Sequence, residues 1–149
     1  MNTVRIAKEF RWEMGHRLPL HSGQCSNIHG HSYRLRITLD GIPDASGMVM
    51  DFYELATLAQ PIVDMLDHAF LCSSDDETMQ RFFRDHPEFK VVTVPFPTTV
   101  ENICRWIAEH LAHQLRRYPN ITQLRVRLHE TATAFAECEV PLSTTPTAP

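Results

Sequence analysis

The chain has 149 residues, a formal charge of −4 at pH 7, and hydrophobic and charged fractions of 43% and 21%. These values are typical of one soluble globular domain with its own hydrophobic core. A mildly acidic chain without a broad basic field is not expected to bind nucleic acid or an anionic membrane, so a phosphorylated ligand would need a few local cations.

The sequence also predicts the compartment. No stretch reaches the roughly 18 apolar residues of a membrane span, and the start MNTVRIAKEF lacks the apolar core of a signal peptide. The cysteines Cys25, Cys72, Cys104 and Cys138 form no C-x-x-C pair. Their wide spacing favours reduced thiols over a disulfide framework. We therefore expect a cytoplasmic protein.

Two half-buried strands are predicted at the start of the chain. Apolar residues fall on alternate positions over Val4–Met14 with Lys8 as the exception, and His16 has the same parity. Residues 33–39 alternate between apolar and polar side chains, and the turn-like DGIPDASG follows. Extended backward, His29 and His31 share the apolar face of this second strand.

Two helices are predicted next. Apolar residues recur at helical spacing over 52–66, with Asp51 placed to cap the helix and Pro61 expected to kink it. A second apolar stripe covers 100–115. Between the helices, residues 71–86 are predicted to form a polar excursion with one helical turn, and 90–94 a short strand.

The end of the chain completes an α+β domain. A strand is predicted over 124–128, Glu130 continues its inward parity, and AFAECEV is predicted to pair back. Residues 1–140 are predicted to form a single domain, and 141–149 a disordered tail. Mixed strands and helices without regular βαβ spacing favour an antiparallel sheet with the helices on one face. An uncovered second face would need a partner subunit, which predicts an oligomer.

Three histidines form the first candidate site. Side chains of His29 and His31 project to one side of a strand about 7 Å apart, and His16 ends another strand on the same face. Three neutral imidazoles with a fourth position open are the arrangement of a catalytic zinc site. An isolated H-x-H is more often a pair of ordinary polar residues, but the shared parity, Gly30 and the nearby Cys25 favour zinc.

Several polar residues have two interpretations from the sequence alone. Cys25 could be a fourth zinc ligand, an inert thiol, or a nucleophile or base. Asp67 and His68 either close the first helix, the commoner role, or form a carboxylate–imidazole pair for proton transfer. Glu101 follows Thr98 at the spacing of a capping box, which needs no ligand to explain it.

Glu130 is a candidate ligand-binding residue. A carboxylate on the apolar face of a strand is costly unless donors face it, and the guanidine-like edge of a ligand would supply them. The alternative is an internal ion pair with Arg125 or Arg127. His110 and His113 lie one turn apart on the second helix and are interpreted as surface residues.

The ordered motifs FRWEMGHRL, CSNIHGHSY, GMVMDF, LDH, TVEN and ETATAF resemble the 6-pyruvoyltetrahydropterin synthase superfamily over about residues 10–140. The spacing C-x-x-x-H-G-H is similar to that of the bacterial 6-carboxy-5,6,7,8-tetrahydropterin synthases of queuosine, or 7-deazaguanine, biosynthesis. The resemblance implies the tunnelling fold, in which a four-stranded antiparallel sheet with two helices joins other subunits in a barrel. It also implies active sites where subunits of a homo-oligomer meet.

The same resemblance implies a metal and a base. Within the family pattern, His16, His29 and His31 would bind Zn²⁺, and Cys25 would act as the base beside it. The activity implied is conversion of 7,8-dihydroneopterin triphosphate to 6-carboxy-5,6,7,8-tetrahydropterin, with release of triphosphate and acetaldehyde. The alternatives are a pyruvoyl-forming or other pterin side-chain lyase, and a non-catalytic zinc-stabilised oligomeric module.

The remaining roles follow from the resemblance in the same way. Asp67 and His68 match the proton-relay pair of the family, and Glu130 matches the carboxylate that anchors the pterin. Thr99 and Glu101 match the motif that lines the pterin pocket. Two stretches depart from the usual pattern, namely WEMGHR around the first histidine and the long acidic loop at 72–88.

Overall fold

The computed structural model describes residues 2–142, and these form a mixed sheet of six strands with three α-helices. The strands in chain order are β1 (Val4–His16), β2 (His29–Gly41), β3 (Ala69–Ser73), β4 (Val91–Val94), β5 (Ile121–His129) and β6 (Phe135–Pro141). The helices are α1 (Phe52–Leu66), α2 (Glu77–Asp85) and α3 (Val100–Leu115). Within the sheet the strand order is β4-β3-β1-β2-β5-β6.

The α+β class and the two long helices are confirmed, but the predicted count of four strands and two helices is wrong. Strands β1, β2, β5 and β6 pair antiparallel as expected. In addition, β3 pairs parallel to β1, and β4 pairs parallel to β3. The predicted polar excursion contains the third helix, α2, whose N-cap Asp76 accepts a hydrogen bond from the backbone N–H of Met79.

Helices α1 and α3 cover one face of the sheet. Helix α2 packs against the other face at the β3 edge, where the Phe83 and Phe70 ring centroids are 5.2 Å apart and Gln80 donates to Sγ of Cys72 at 3.4 Å.

The register of β1 and β2 determines which side chains lie beneath α1 and α3. Trp12 pairs with Tyr33 and His16 pairs with His29, so both members of each pair point to the same face. Buried side chains from both strands and from α1 and α3 form one continuous hydrophobic core on that face. Because side chains alternate between the two faces without interruption along β1 and β2, His16, His29 and His31 also point to the helix-covered face.

Over β1, β2, β5 and β6 the opposite face of the sheet is charged, so the expectation that this face needs a partner subunit as a cover is not supported there. Arg5 donates to Asp40 at 2.6 Å, and Arg125 donates to Glu139 at 2.6 Å. Charged side chains of this kind are solvated without a partner subunit, since they bury no apolar area. This face gives no reason of its own for a partner subunit, and the homo-oligomer stays a prediction.

The sheet continues past the predicted domain boundary at residue 140. β6 includes Pro141, and Leu142 is buried with its N–H bonded to the carbonyl of Thr122. The rest of the predicted tail, residues 143–149, lies outside the described residues. All four cysteines are free thiols. Among residues 2–142, no helix has both the length and the hydropathy of a membrane span.

Candidate metal centre and active site

The three predicted histidines lie together where β1 ends and β2 begins. His16 is directly opposite His29, and His31 is two residues further along β2. One ring nitrogen from each histidine lies within 4.8 Å of the other two. The ring centroids of His16 are 4.6 Å from His29 and 5.2 Å from His31. Three imidazoles at these distances can bind a single metal ion.

His16 is oriented so that one nitrogen is free for a metal. Its Nδ1 lies 2.8 Å from the carbonyl oxygen of Thr98, which can only accept, so Nδ1 carries the proton. Its Nε2 is buried with no partner among the described residues. Burial is the main cause that lowers the pKa of His16 to about 4, so the ring is neutral. A buried, neutral and unpaired nitrogen is the observation that fits a bound metal.

The other two histidines complete the group. Nδ1 of His29 donates to the carbonyl of Asn27 at 2.7 Å, which leaves its Nε2 free in the same way. His31 lies with Nε2 3.9 Å from Oε2 of Glu130. Burial lowers the pKa of His31, although the Glu130 carboxylate opposes this shift. His16 and His29 each have one ring nitrogen bonded to a backbone carbonyl, the arrangement that usually orients a histidine toward zinc.

Cys25 lies in a short 3₁₀ turn, Gln24–Ser26, that precedes β2. Its carbonyl accepts a hydrogen bond from the N–H of Leu18 at 2.7 Å, which fixes the turn to the chain after β1. The thiol is free and half-buried. The metal-binding group found among the described residues consists of the three histidines without the Cys25 sulfur, so the group resembles an open site rather than a closed four-ligand one.

Asp67 and His68 form a hydrogen-bonded pair immediately after α1. Oδ1 of Asp67 accepts from Nδ1 of His68 at 2.9 Å and from the backbone N–H of Glu13 at 3.0 Å. The Glu13 N–H is the main cause that holds the pKa of the Asp67 carboxyl below its ordinary value. His68 has a φ of +59°, a left-handed conformation that is uncommon for a residue other than glycine.

Lys90, rather than His68, binds the carbonyl groups at the end of α1. Its Nζ donates to the carbonyls of Asp64 and Asp67, both at 2.7 Å. A cation is favoured at this helix end by the partial negative charge of the free carbonyls. The alternative interpretation of His68 as a helix-capping residue is therefore wrong. The His68 side chain is 77% exposed, with Nδ1 bound to Asp67.

Among the described residues, neither Asp67 nor His68 belongs to the group of close ligand atoms that the three histidines form. Ala69 pairs with Met14 and is buried under the helices, whereas His68 precedes it and borders a cleft with Glu13 and Ser32. Glu13 and Ser32 belong to the charged face of the sheet. The cleft measures about 310 Å³, and His31 also lines it. The three histidines thus extend from the helix-covered face, while His68 borders a cleft beside the charged face.

Glu130 lies beside the metal group. It follows the last residue of β5, its N–H donates to the carbonyl of Ala134, and its carboxylate faces His31 at 3.9 Å. No ion pair joins Glu130 to Arg125 or Arg127, which pair instead with Glu137 and Glu139 on β6. The internal ion pair considered from the sequence is therefore wrong for the described residues.

Thr99 and Glu101 lie at the start of α3, one residue out of the predicted capping register. Thr99 is the N-cap, and its Oγ1 accepts from the N–H of Asn102 at 3.2 Å. Glu101 is exposed in the first turn, so the predicted capping box between Thr98 and Glu101 is wrong. Thr98 is buried at 1% exposure, and its carbonyl orients His16. The role of Thr98 in orienting His16 could not be predicted from the sequence, because the contact is made by its backbone carbonyl and not by its side chain.

The sequence is similar to known proteins over almost its whole length. Residues 5–141 match the family model described as 6-pyruvoyl tetrahydropterin synthase. The chain belongs to this family. A 6-carboxy-5,6,7,8-tetrahydropterin synthase of Haemophilus influenzae is 35% identical over 140 residues, which cover 89% of this chain and 96% of that protein. The 6-carboxy-5,6,7,8-tetrahydropterin synthase of Aquifex aeolicus is 30% identical, with 89% and 95% covered.

Solved structures share the fold of this family member. An uncharacterized protein from Wolinella succinogenes superposes with a TM-score of 0.79 at 24% identity, covering 93% of this chain and 98% of that one. The 6-pyruvoyl tetrahydropterin synthase of Plasmodium vivax gives a TM-score of 0.76 at 18% identity, covering 95% and 99%. At these identities the likeness shows the fold alone.

Proposed function

We propose that this protein is a cytoplasmic, zinc-dependent lyase that converts 7,8-dihydroneopterin triphosphate to 6-carboxy-5,6,7,8-tetrahydropterin, with release of triphosphate and acetaldehyde, in 7-deazaguanine (queuosine) biosynthesis. The observation that carries the metal assignment is the buried, unpaired Nε2 of His16 within 4.8 Å of nitrogens from His29 and His31. The choice of reaction is supported by relatives such as the Haemophilus influenzae protein, which bears the name of that synthase at 35% identity.

The proposed chemistry begins with proton removal near the metal. A bound zinc ion would supply Lewis acidity to an oxygen of the substrate side chain. Cys25, a free and half-buried thiol on the turn before β2, is assigned the role of the base that takes a proton from a side-chain carbon. Because the Cys25 sulfur is outside the three-histidine group, it is available as a base rather than held as a ligand.

The Asp67–His68 pair is assigned the return of that proton. The Asp67 carboxylate holds Nδ1 of His68, so the exposed Nε2 of the ring is the nitrogen that exchanges a proton with the substrate. In one chain this pair lies on the other side of the sheet from the metal group. We therefore propose a homo-oligomer in which the pair serves the metal site of a neighbouring subunit, as in the barrel that the tunnelling fold forms.

Glu130 is assigned the anchoring of the pterin. Its carboxylate is 26% exposed and has no cation partner among residues 2–142, so it can accept from the amino and ring N–H groups of a pterin. Its 3.9 Å separation from Nε2 of His31 puts an anchored ring next to the metal group. Thr99 and Glu101, at the start of α3, are assigned the lining of the same small-molecule pocket.

The decisive experiment is incubation of the purified protein with 7,8-dihydroneopterin triphosphate. We expect a product with the mass of 6-carboxy-5,6,7,8-tetrahydropterin, one acetaldehyde per turnover, and about one zinc per chain by elemental analysis. A pyruvoyl product without acetaldehyde would identify the alternative activity suggested by the name of the matching family model. Zinc binding with no turnover of any dihydropterin would identify a non-catalytic, zinc-stabilised module.

A further inference from the structure

The charged face of the sheet carries six arginines, and four of them are neutralised by carboxylates. The ion pairs are Arg5–Asp40 at 2.6 Å, Arg125–Glu139 at 2.6 Å, Arg127–Glu137 at 2.6 Å and Arg36–Glu9 at 3.5 Å. Most rows of side chains across this face therefore balance their own charge. The remaining arginines, Arg11 and Arg34, stand out against this pattern.

Arg11 and Arg34 are directly opposite each other in β1 and β2, and Arg34 is directly opposite His129 in β5. Within residues 2–142, neither guanidinium lies within ion-pair distance of a carboxylate. Like charges directly opposite each other across two strands are destabilising. The row of Arg11, Arg34 and His129 therefore has a positive charge that no carboxylate among residues 2–142 neutralises.

The carboxylates nearest along β1 have other partners. Glu9 faces Arg36 at 3.5 Å, and Glu13 accepts a hydrogen bond from the hydroxyl of Ser32 at 2.7 Å. Both lie two residues from Arg11 on the same face of the strand, about 7 Å along the backbone. The unneutralised positive charge is thus confined to the row of Arg11 and Arg34, and the carboxylates of the rows on either side have partners of their own.

His129 orients Arg34 within this row. Nη2 of Arg34 lies 3.4 Å from Nε2 of His129, and because a guanidinium only donates, Nε2 is the acceptor. Burial, followed by the nearby charge of Arg34, lowers the pKa of His129, which keeps the ring neutral and able to accept. A held guanidinium loses less freedom when it binds a ligand.

The row lies beside the cleft already described. Glu13 and Ser32, which pair in the neighbouring row, line the cleft together with His68. One step between rows is about 7 Å, a distance that a chain of three phosphates can span. An anion bound at Arg11 and Arg34 would therefore lie within reach of a molecule in the cleft.

We propose that Arg11 and Arg34, with Arg34 held by His129, form a binding site for a phosphate chain. Guanidinium groups offer planar pairs of donors that match phosphate oxygens, and a polyanion removes the repulsion between the two cations. The ligand is the triphosphate of the substrate or the triphosphate released from it. That identification rests on the proposed function, whereas the affinity for a phosphate chain does not.

Isothermal titration of the zinc-loaded protein with inorganic tripolyphosphate tests the site. We expect Arg34→Gln and Arg11→Gln each to weaken binding by about tenfold or more, the effect of losing a charged hydrogen bond. The matched control is Arg36→Gln, on the same strand and face but paired with Glu9, which should change the affinity by less than about threefold. Melting temperatures of Arg34→Gln and Arg11→Gln should equal or exceed that of the unmodified protein, because a repulsion is lost.

The metal is separated from the arginines by a further variant, since tripolyphosphate also binds zinc. His29→Ala should retain tripolyphosphate binding, and loss of binding there would assign the phosphate to the metal and overturn the proposal. Unchanged affinity in both arginine variants would also overturn it. A rise in KM for 7,8-dihydroneopterin triphosphate in Arg34→Gln identifies the substrate's own phosphates as the ligand, whereas weaker product inhibition by tripolyphosphate with unchanged KM identifies the released group. Tripolyphosphate binding at the arginines without any turnover would leave this site standing while the proposed function failed.

Discussion

Two histidine environments lie on opposite sides of the same sheet, and they differ in nearly every physical respect. His16 is 2% exposed, donates to a backbone carbonyl and has a pKa lowered to about 4. The His68 side chain is 77% exposed, bonds a carboxylate and adopts a left-handed backbone. Burial with a carbonyl partner keeps His16 neutral with Nε2 free, whereas the carboxylate partner of His68 holds Nδ1 and leaves the rest of an exposed ring open to other molecules.

Removal of one of the three clustered histidines should have the largest effect. We expect His29→Ala to lower the zinc content at least tenfold and to abolish measurable turnover, because two imidazoles bind zinc far more weakly than three. Elemental analysis and a turnover assay measure both. The control is His113→Ala on the surface of α3, which should keep full zinc content. A fully active His29→Ala protein would contradict the assignment of the metal group.

Loss of the Cys25 thiol should lower the rate of the reaction without changing the zinc content. We expect Cys25→Ala to lower kcat by roughly 10²–10⁴-fold, the usual contribution of a positioned acid or base, with zinc content unchanged. The control is Cys138→Ala, a second half-buried thiol on β6. Loss of zinc in Cys25→Ala would show that the sulfur is a ligand, and an unaltered kcat would remove it from the reaction.

The next prediction concerns Glu130, which lies beside His31 and is proposed to bind the pterin. Glu130→Gln should weaken substrate binding by about tenfold to a hundredfold, the effect of losing a charge-assisted hydrogen bond. Zinc content and assembly should stay intact, because the amide is nearly isosteric. Substrate titration and thermal melting are measured on the same protein. A lower melting temperature with unchanged substrate affinity would assign Glu130 to folding instead.

Lys90 tests how the exposed pair is positioned. Because its Nζ holds the carbonyls of Asp64 and Asp67, we expect Lys90→Met to lower kcat more than it raises KM. The stability loss should be about 0.3–1 kcal/mol, the range for an exposed cation at a helix C-terminus. Lys90→Arg should recover part of kcat. Equal losses of stability in both variants with kcat unchanged would show that Lys90 has no part in positioning the pair.

The smallest effect concerns acid stability. The folded-state pKa of Asp67 is lowered, so this carboxylate contributes stability that is present above the unfolded-state pKa of about 3.9 and is lost as the pH falls through the folded value. Asp67→Asn should flatten the decline of stability in that acidic window and leave the curve near pH 7 parallel to that of the unmodified protein. Denaturant melts between pH 2 and 7 measure it, and an unchanged acid slope would contradict the prediction.

The cluster of three histidines could be predicted from the sequence because the pattern that reveals it is local. Alternation in β1 and β2 gives the face of each side chain, so the residue pattern by itself assigns His16, His29 and His31 to one side of a sheet. Helix α3 could be predicted for the same reason, although its cap is Thr99 and not Thr98. Thr98 and Thr99 are adjacent and equally suited to cap a helix, so the sequence does not distinguish between them.

The surroundings of Asp67 and His68 could not be predicted to the same extent because their contacts are long-range. β3 has five residues, and its parallel pairing with β1 depends on a segment more than 50 residues away. Lys90 reaches carbonyls 23 and 26 residues earlier in the chain, and no side-chain pattern marks a carbonyl. The face to which His68 belongs follows from its positive φ and from its place before Ala69, which only the fold determines.

The left-handed backbone at His68 has a consequence for protein engineering. Glycine adopts a φ of +59° without steric cost, while a side chain there costs of order 1–3 kcal/mol. A search for stabilising substitutions would therefore select His68→Gly and would remove the imidazole in the same step. Selection for thermal stability and selection for turnover oppose each other at this single residue, so a library screened by melting temperature alone should accumulate folded, inactive proteins.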